Sequence, residues 1–209
     1  MKNPSIVVID SGVGNMWSVL KAVQRFAPDV VVTEDPAVVA TAEAIILPGV
    51  GSFKAGMDGL KIRGLVQPLQ QAGKKGIPIL GICLGAQLLL ERGYEFGEHE
   101  GLGLIEGEVV AFTDLPLGSK VPVIDWQEVV PQTNEARVLL GGSGKAYFYF
   151  VHSFLLKPKH ERNLFASTSY NGYSYCAVVG SGRIIGTQFH PEKSGEAGLT
   201  LLKNFIHGI

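Results

Sequence analysis

The chain has 209 residues, 46% of them hydrophobic and 18% charged, and a net charge of −1. That length suffices for one domain with a substantial core, or at most two small ones, and the charge balance offers neither a basic field for nucleic acid nor an acidic tail. No run of about 18 apolar residues appears, so no membrane-spanning helix is expected, and the apolar part of "MKNPSIVVIDSG" is too short for a signal peptide.

In chain order, "SIVVI" (5–9), "AIIL" (44–47) and "GIPILGI" (76–82) read as buried strands, with Pro78 near the start of the third, where a missing donor is tolerated. Residues 14–26 and about 56–72 carry apolar side chains at three- and four-residue spacing, as amphipathic helices do. Gly64 and Pro68 interrupt the second, with Pro68 a candidate break. Strands separated by helices imply a parallel sheet covered on both faces. The second half differs. "EVVAF", "KVPVIDWQEVV", "KAYFYFV", "LFASTSY", "YCAVV" and "RIIGTQF" are strand-like, and "GEAGLTLLKNFIHGI" closes the chain as a helix with Leu199, Leu202, Phe205 and Ile206 on one stripe. The expected fold is α/β: an open, mostly parallel central sheet with flanking helices and an antiparallel extension in the second half. With no linker-like tract and no internal repeat, residues 1–209 are expected to form a single domain.

Two cysteines allow at most one disulfide. Cys83 and Cys176 stand in such different contexts that free thiols and a cytoplasmic location are expected. Cys176 lies in the apolar strand "YCAVV" and reads as core. Cys83 lies in "GICLGAQ" (81–87), between a strand and the helix-like "LGAQLLLER". This is the G-x-S-x-G nucleophile-elbow pattern with cysteine in place of serine. Gly81 and Gly85 suit a strained turn with chain passing close by. A helix N-terminus favours a thiolate, and the N–H groups after the cysteine point at a developing oxyanion. Alone, the pattern equally fits a buried cysteine acting as a small hydrophobe; a nucleophile also needs a base.

"QFHPEKS" (188–194) supplies one. Pro191 keeps His190 extended, and in extended chain Glu192 projects to the same side. The carboxylate is then placed to orient the imidazole, as the acid of a catalytic triad does. Both motifs fall at the carboxyl ends of strands, where open α/β sheets build their sites. "LPGVGSF" (47–53) provides a glycine loop able to donate a second oxyanion N–H. "SGVGN" (11–15) lacks the third glycine of a dinucleotide fingerprint, and that reading is rejected.

"PGVGSF", "GICLGAQLL" and "FHPEKS", in that order and spacing, resemble the class I, triad-type glutamine amidotransferases. "DSGVGN", "YFYFVHSF" (147–154) and "SGEAGLTLLKNFI" narrow the likeness to the glutaminase subunits of the histidine pathway, over essentially the whole chain. The resemblance implies hydrolysis of glutamine to glutamate and ammonia, with Cys83, His190 and Glu192 catalytic. It implies Val50 and Gly51 on the oxyanion loop, and Gly51, Gln87, Glu95, Ser153 and Phe154 around glutamine. Asn15, Trp126, Tyr149, His152 and Lys193 would face a (β/α)8 cyclase partner in a heterodimer that channels ammonia. No metal, cofactor, nucleic acid or membrane is implied. One segment departs: where the family reads close to P-H-M-G-W-N, this chain has "VPVIDWQEV" (121–129), keeping Pro122 and Trp126 but carrying Val123, Asp125 and Gln127. A related subunit feeding amidation of a surface-polysaccharide sugar therefore stays open. So do a cysteine peptidase or thiol hydrolase of similar fold and a scaffold subunit with a dead site, although all three triad residue types are present.

Overall fold

A computed structural model describes residues 5–12, 16–142 and 145–208. In chain order the elements are β1 (Ile6–Ile9), α1 (Met16–Gln24), β2 (Val31–Thr33), α2 (Pro36–Val39), β3 (Ala44–Gly49), α3 (Phe53–Ile62), α4 (Val66–Lys74), β4 (Ile79–Cys83) and α5 (Leu84–Leu88). The second half continues with β5 (Leu90–Gly93), β6 (His99–Glu100), β7 (Ile105–Ala111), β8 (Val123–Pro131), α6 (Asn134–Leu139), β9 (Ala146–His152) and β10 (Phe154–Pro158). It ends with β11 (Leu164–Tyr170), β12 (Tyr173–Ser181), β13 (Ile184–Thr187) and α7 (Gly195–His207).

The described residues place β2-β1-β3-β4-β13 side by side, all parallel. Beyond β13 the sheet runs antiparallel through β12, β10 and β7, and β5 returns parallel to β7. A second layer forms where β11 bridges β12 to β8, and β8 pairs with β9 from Val123↔His152 to Val129↔Ala146. This is the expected α/β class with an antiparallel extension.

β1, β3 and β4 are buried along their whole length, as strands covered on both faces must be. Alternate residues feed two cores, following the two-residue period of a strand. Ile6, Val8, Ile46, Leu80 and Ile82 pack with Val19 and Val23 of α1 and Leu201, Leu202 and Phe205 of α7. Val7, Ile9, Ile45, Leu47 and Ile79 pack on the other face with Phe53, Met57 and Leu60 of α3 and Leu69 and Ala72 of α4.

The helical stretch at 56–72 is two helices, and the break falls at Gly64 (φ +67°), not at Pro68. Pro68 sits in the first turn of α4, where backbone N–H groups have no intrahelical acceptor to lose. The helix after Cys83 stops at Leu88 instead of running through "LLER". Residues 90–93 pair with β7, Leu90 is fully buried, and Gly93 lies against the Phe53 ring with no room for a Cβ. Burial and pairing outweigh helix propensity there. The short elements β2, β5, β6, β10, α2 and α6 have no counterpart in the sequence reading.

Candidate active site

The register of the parallel strands assembles the site. Gly49, at the end of β3, lies opposite Cys83 at the end of β4, and Ile82 lies opposite Thr187 at the end of β13, three residues before His190. Loop, cysteine and histidine thus leave three adjacent strands at the same edge, the carboxyl edge of the parallel sheet.

Cys83 adopts φ +54° and ψ −110°, a conformation that costs an L-residue of the order of 1–3 kcal/mol and is held here by its surroundings. The elbow exists because α5 presses down on the strands. A Cβ on Gly81 would stand 2.7 Å from the backbone N and Cα of Ala86, and one on Gly85 would overlap the carbonyl oxygen of Leu47. Leu84 opens the first turn of α5, so its N–H has no intrahelical acceptor and is free to face an oxyanion. Across from it, Val50 and Gly51 (φ +104°) form the loop after β3.

His190 and Glu192 follow β13 in a tight turn (Pro191–Lys193). The His190 Nδ1 lies 2.8 Å from Glu192 Oε1, and both side chains are almost wholly buried. With Nδ1 engaged, Nε2 is left without a hydrogen-bond partner. Burial disfavours the His190 imidazolium, but the attraction of Cys83 and Glu192 for its proton outweighs that and raises its pKa to about 9. The turn is locked by Ser194, which no local pattern marks. The Ser194 hydroxyl donates to the His190 carbonyl (2.6 Å) and accepts from the Tyr149 N–H (3.0 Å), while the His190 N–H donates to the Tyr149 carbonyl (2.9 Å). Replacing Ser194 by alanine leaves the part-buried Tyr149 N–H without its acceptor, while the His190 carbonyl keeps the Lys193 N–H (3.1 Å). The substitution should cost ~1–3 kcal/mol, read as a lower urea midpoint with unchanged m-value.

A cavity of about 330 Å³ lies between these elements, lined by Val50, Gly51, Cys83, Gln87, Glu95, Pro122, Ser153, Phe154 and His190 among others. Gln87 donates through Nε2 to the Phe154 carbonyl (3.4 Å) and to Gln188 Oε1 (3.3 Å), which ties the wall to α5. Glu95 accepts the N–H of Phe53 (2.8 Å) and so joins the rim to the first turn of α3. Gln188, fully buried and two residues before His190, was missed by sequence reasoning; its amide lies 4.0 Å from the Cys83 sulfur. Nothing local marks it: it lies one residue beyond β13, and only the fold brings it to the sulfur. Cys176 is core as expected: it is buried, unpaired, and burial pushes its thiol up.

Trp126 and Tyr149 meet on the surface formed by β8 and β9 (ring centroids 6.0 Å apart), and the Lys193 ammonium lies over the Tyr149 ring at 5.9 Å. His152 does not join them. It is buried and lines the cavity, because its place on β9 turns it inward with Phe148 and Phe150. Asn15 lies outside the described residues. The departures on β8 are absorbed in place. Val123 is fully buried, Asp125 accepts the N–H of Trp126 (2.8 Å), and Gln127 is buried beside Tyr175 and Thr168.

A cysteine on a strand-to-helix elbow, beside an acid-backed histidine on the next strand, is the layout of an α/β thiol enzyme that works through an acyl intermediate. Solved structures with this fold include a glutamine amidotransferase (TM-score 0.75, 18% identity, 97% of this chain and 99% of that one) and PurLQS from Thermotoga maritima (TM-score 0.73, 18% identity, 99% of each). Residues 7–209 match the family model for class-I glutamine amidotransferases, and the chain belongs to that family. Its relatives include the imidazole glycerol phosphate synthase subunit HisH of Desulfitobacterium hafniense strain Y51, 45% identical over 96% of this chain and 92% of that protein. HisH of Rhodopirellula baltica is 42% identical over 96% of both, and HisH 1 of Legionella pneumophila strain Lens is 40% identical over 97% and 98%.

The His190 proton links stability to pH. Its folded pKa of about 9 exceeds the ordinary 6.5. The native state therefore holds the proton more tightly, and the resulting stabilisation is complete below about pH 6.5 and lost as pH rises through about 9. Glu192→Gln should bring that alkaline loss to lower pH, seen in denaturation midpoints between pH 7 and 10. It should also reduce kcat for glutamine by about 10⁴-fold, as loss of the orienting acid does in a triad.

Proposed function

We propose that this chain, as one domain over residues 1–209, is the glutaminase subunit of an imidazole glycerol phosphate synthase. In this reading the Cys83 sulfur attacks the side-chain amide carbon of glutamine, forming a C–S bond and placing negative charge on the amide oxygen. The N–H of Leu84 and the Val50–Gly51 loop stabilise that charge. His190, protonated and oriented by Glu192, gives its proton to the nitrogen as the C–N bond breaks, and ammonia leaves a glutamyl thioester. His190 then takes a proton from water, which adds to the thioester; glutamate departs and the thiolate returns. Glu95 at the rim has the charge to hold the α-ammonium group, with Gln87, Ser153 and Phe154 along the wall.

The observation that carries this reading is the single cavity shared by the elbow cysteine, the 2.8 Å His190–Glu192 pair and the polar wall, in a chain 40–45% identical to HisH subunits over nearly its full length. The surface of Trp126, Tyr149 and Lys193 is the face offered to a (β/α)8 cyclase partner. Handing ammonia over directly has a physical rationale, since free ammonia is mostly protonated at neutral pH and then cannot attack. No helix among the described residues is long and apolar enough to cross a membrane, and a cytoplasmic location fits this role. The departures at Val123, Asp125 and Gln127 favour a second reading, in which the ammonia serves a cyclase-like partner that amidates a polysaccharide sugar.

Glutamate release, measured with and without a histidine-pathway cyclase subunit carrying its nucleotide ligand, separates the two. Strong stimulation supports the first reading. Glutaminase activity that this cyclase fails to stimulate supports the second, and no hydrolysis under any condition overturns both.

A further inference from the structure

Running back from His152 in the cavity wall, four buried polar side chains form a hydrogen-bonded row. His152 Nδ1 lies 2.9 Å from the carbonyl oxygen of Phe154, and its Nε2 lies 3.1 Å from the Tyr175 hydroxyl. That hydroxyl is 2.6 Å from the side-chain amide of Gln127, and the same amide atom is 3.1 Å from Thr168 Oγ1. The Thr168 hydroxyl also reaches the Glu128 carbonyl at 2.8 Å. Gln127 is 4% exposed and His152 6%, and the rings of Phe112 and Phe150 pack against His152 and Tyr175.

Counting protons leaves one direction for the row. A carbonyl only accepts, so His152 Nδ1 carries a proton. A neutral imidazole has one ring N–H, so Nε2 accepts the Tyr175 proton. The hydroxyl has no other to give, and the Gln127 atom facing it must be a donor. With its oxygen turned to Tyr175 and Thr168, Gln127 cannot supply that donor, and whichever amide atom points away is buried without a partner. With its NH2 turned there instead, it donates to both, and Thr168 passes its own proton to the Glu128 carbonyl. The two orientations differ only in which of two similar amide atoms faces inward.

An imidazolium at His152 would satisfy the other orientation. Burial opposes it and holds the His152 pKa down at about 4, against the favourable bond to Phe154, and the neighbouring His190 acts in the same sense as burial. The acid acting on this row is Asp125, which bears on Tyr175 and makes no bond to the ring.

We propose that His152 is a positioning residue for glutamine, held as the Nδ1–H tautomer by Tyr175 and Gln127 so that it pins the Phe154 carbonyl at the cavity wall. Gln87 Nε2 reaches the same carbonyl from the α5 side, so that one oxygen joins β10 to both β9 and α5. The effect on substrate rests on the glutaminase reading; the tautomer does not.

Two measurements test this. The first is the ¹⁵N imidazole spectrum of the wild-type protein at pH 7, expected to show His152 neutral with its proton on Nδ1. The second compares His152→Leu, which removes the donor, with His152→Asn, whose side-chain NH2 stands near the Nδ1 position. His152→Leu should raise KM for glutamine about 5–10-fold with kcat changed less than about 2-fold, as for loss of one net hydrogen bond in binding. His152→Asn should return KM to within about 3-fold of wild type, since it restores that bond. A proton on Nε2 alone, an imidazolium at pH 7, or an asparagine variant no better than leucine would overturn the proposal. If His152→Leu does not fold, the wild-type spectrum and the KM of His152→Asn still decide. A wild-type protein without glutaminase activity would remove the functional reading and leave the spectrum as the test of the tautomer.

Discussion

Replacing Cys83 by alanine should abolish glutamine-dependent synthesis by the complex while leaving ammonia-dependent synthesis intact. The thioester cannot form without the sulfur, and removal of a catalytic nucleophile has cost on the order of 10⁶ in kcat in a comparable triad. The rest of the site stays in place, because alanine fits where the thiol packs and the strand-to-helix turn is held by its neighbours. Glutamate release by the variant and product formation with added ammonium salt are the two readings needed. Loss of both with the fold retained would make Cys83 a structural residue. Retention of glutamine hydrolysis would remove it from the chemistry altogether.

Gly85→Ala should have the largest effect on stability, and through it on activity. The added Cβ would meet the carbonyl oxygen of Leu47, which belongs to a fully buried strand and has no free side to retreat to. Either α5 lifts off β3 and β4 or β3 shifts, and both movements open the core beneath Leu84, Ala86 and Leu88. A loss of about 4 kcal/mol or more follows from such overpacking, a large share of the ~5–15 kcal/mol that holds a domain of ordinary stability. Denaturant unfolding of soluble protein checks this. A variant within about 1 kcal/mol of wild type would mean that α5 stands further from the sheet than described.

The parallel half of the fold was legible because its strands are short apolar runs and its helices carry a clear period; Ile6–Ile9, Ala44–Gly49 and Ile79–Cys83 fall where that pattern puts them. The elements that were missed or misplaced are those whose state depends on distant partners. "LLER" has the composition of a helix and becomes a strand because β7 lies alongside it. Pro68 carries the stronger local signal for a break, yet Gly64 makes it, since only the glycine is in the left-handed region.

The site divides in the same way. The elbow around Cys83 and the His190–Glu192 pair are local motifs, readable because two residues along an extended chain share a side and a glycine permits a tight turn. No local pattern could show that Ser194 locks the histidine turn to β9, that Gln188 lies against the sulfur, or that His152 faces inward to a row running through Gln127 to Thr168. These contacts join residues from 23 to 105 positions apart. Hydrogen bonds over such separations exist only once the strands are in register, because a short-range polar contact carries no trace in a sequence until the fold has brought its two ends together.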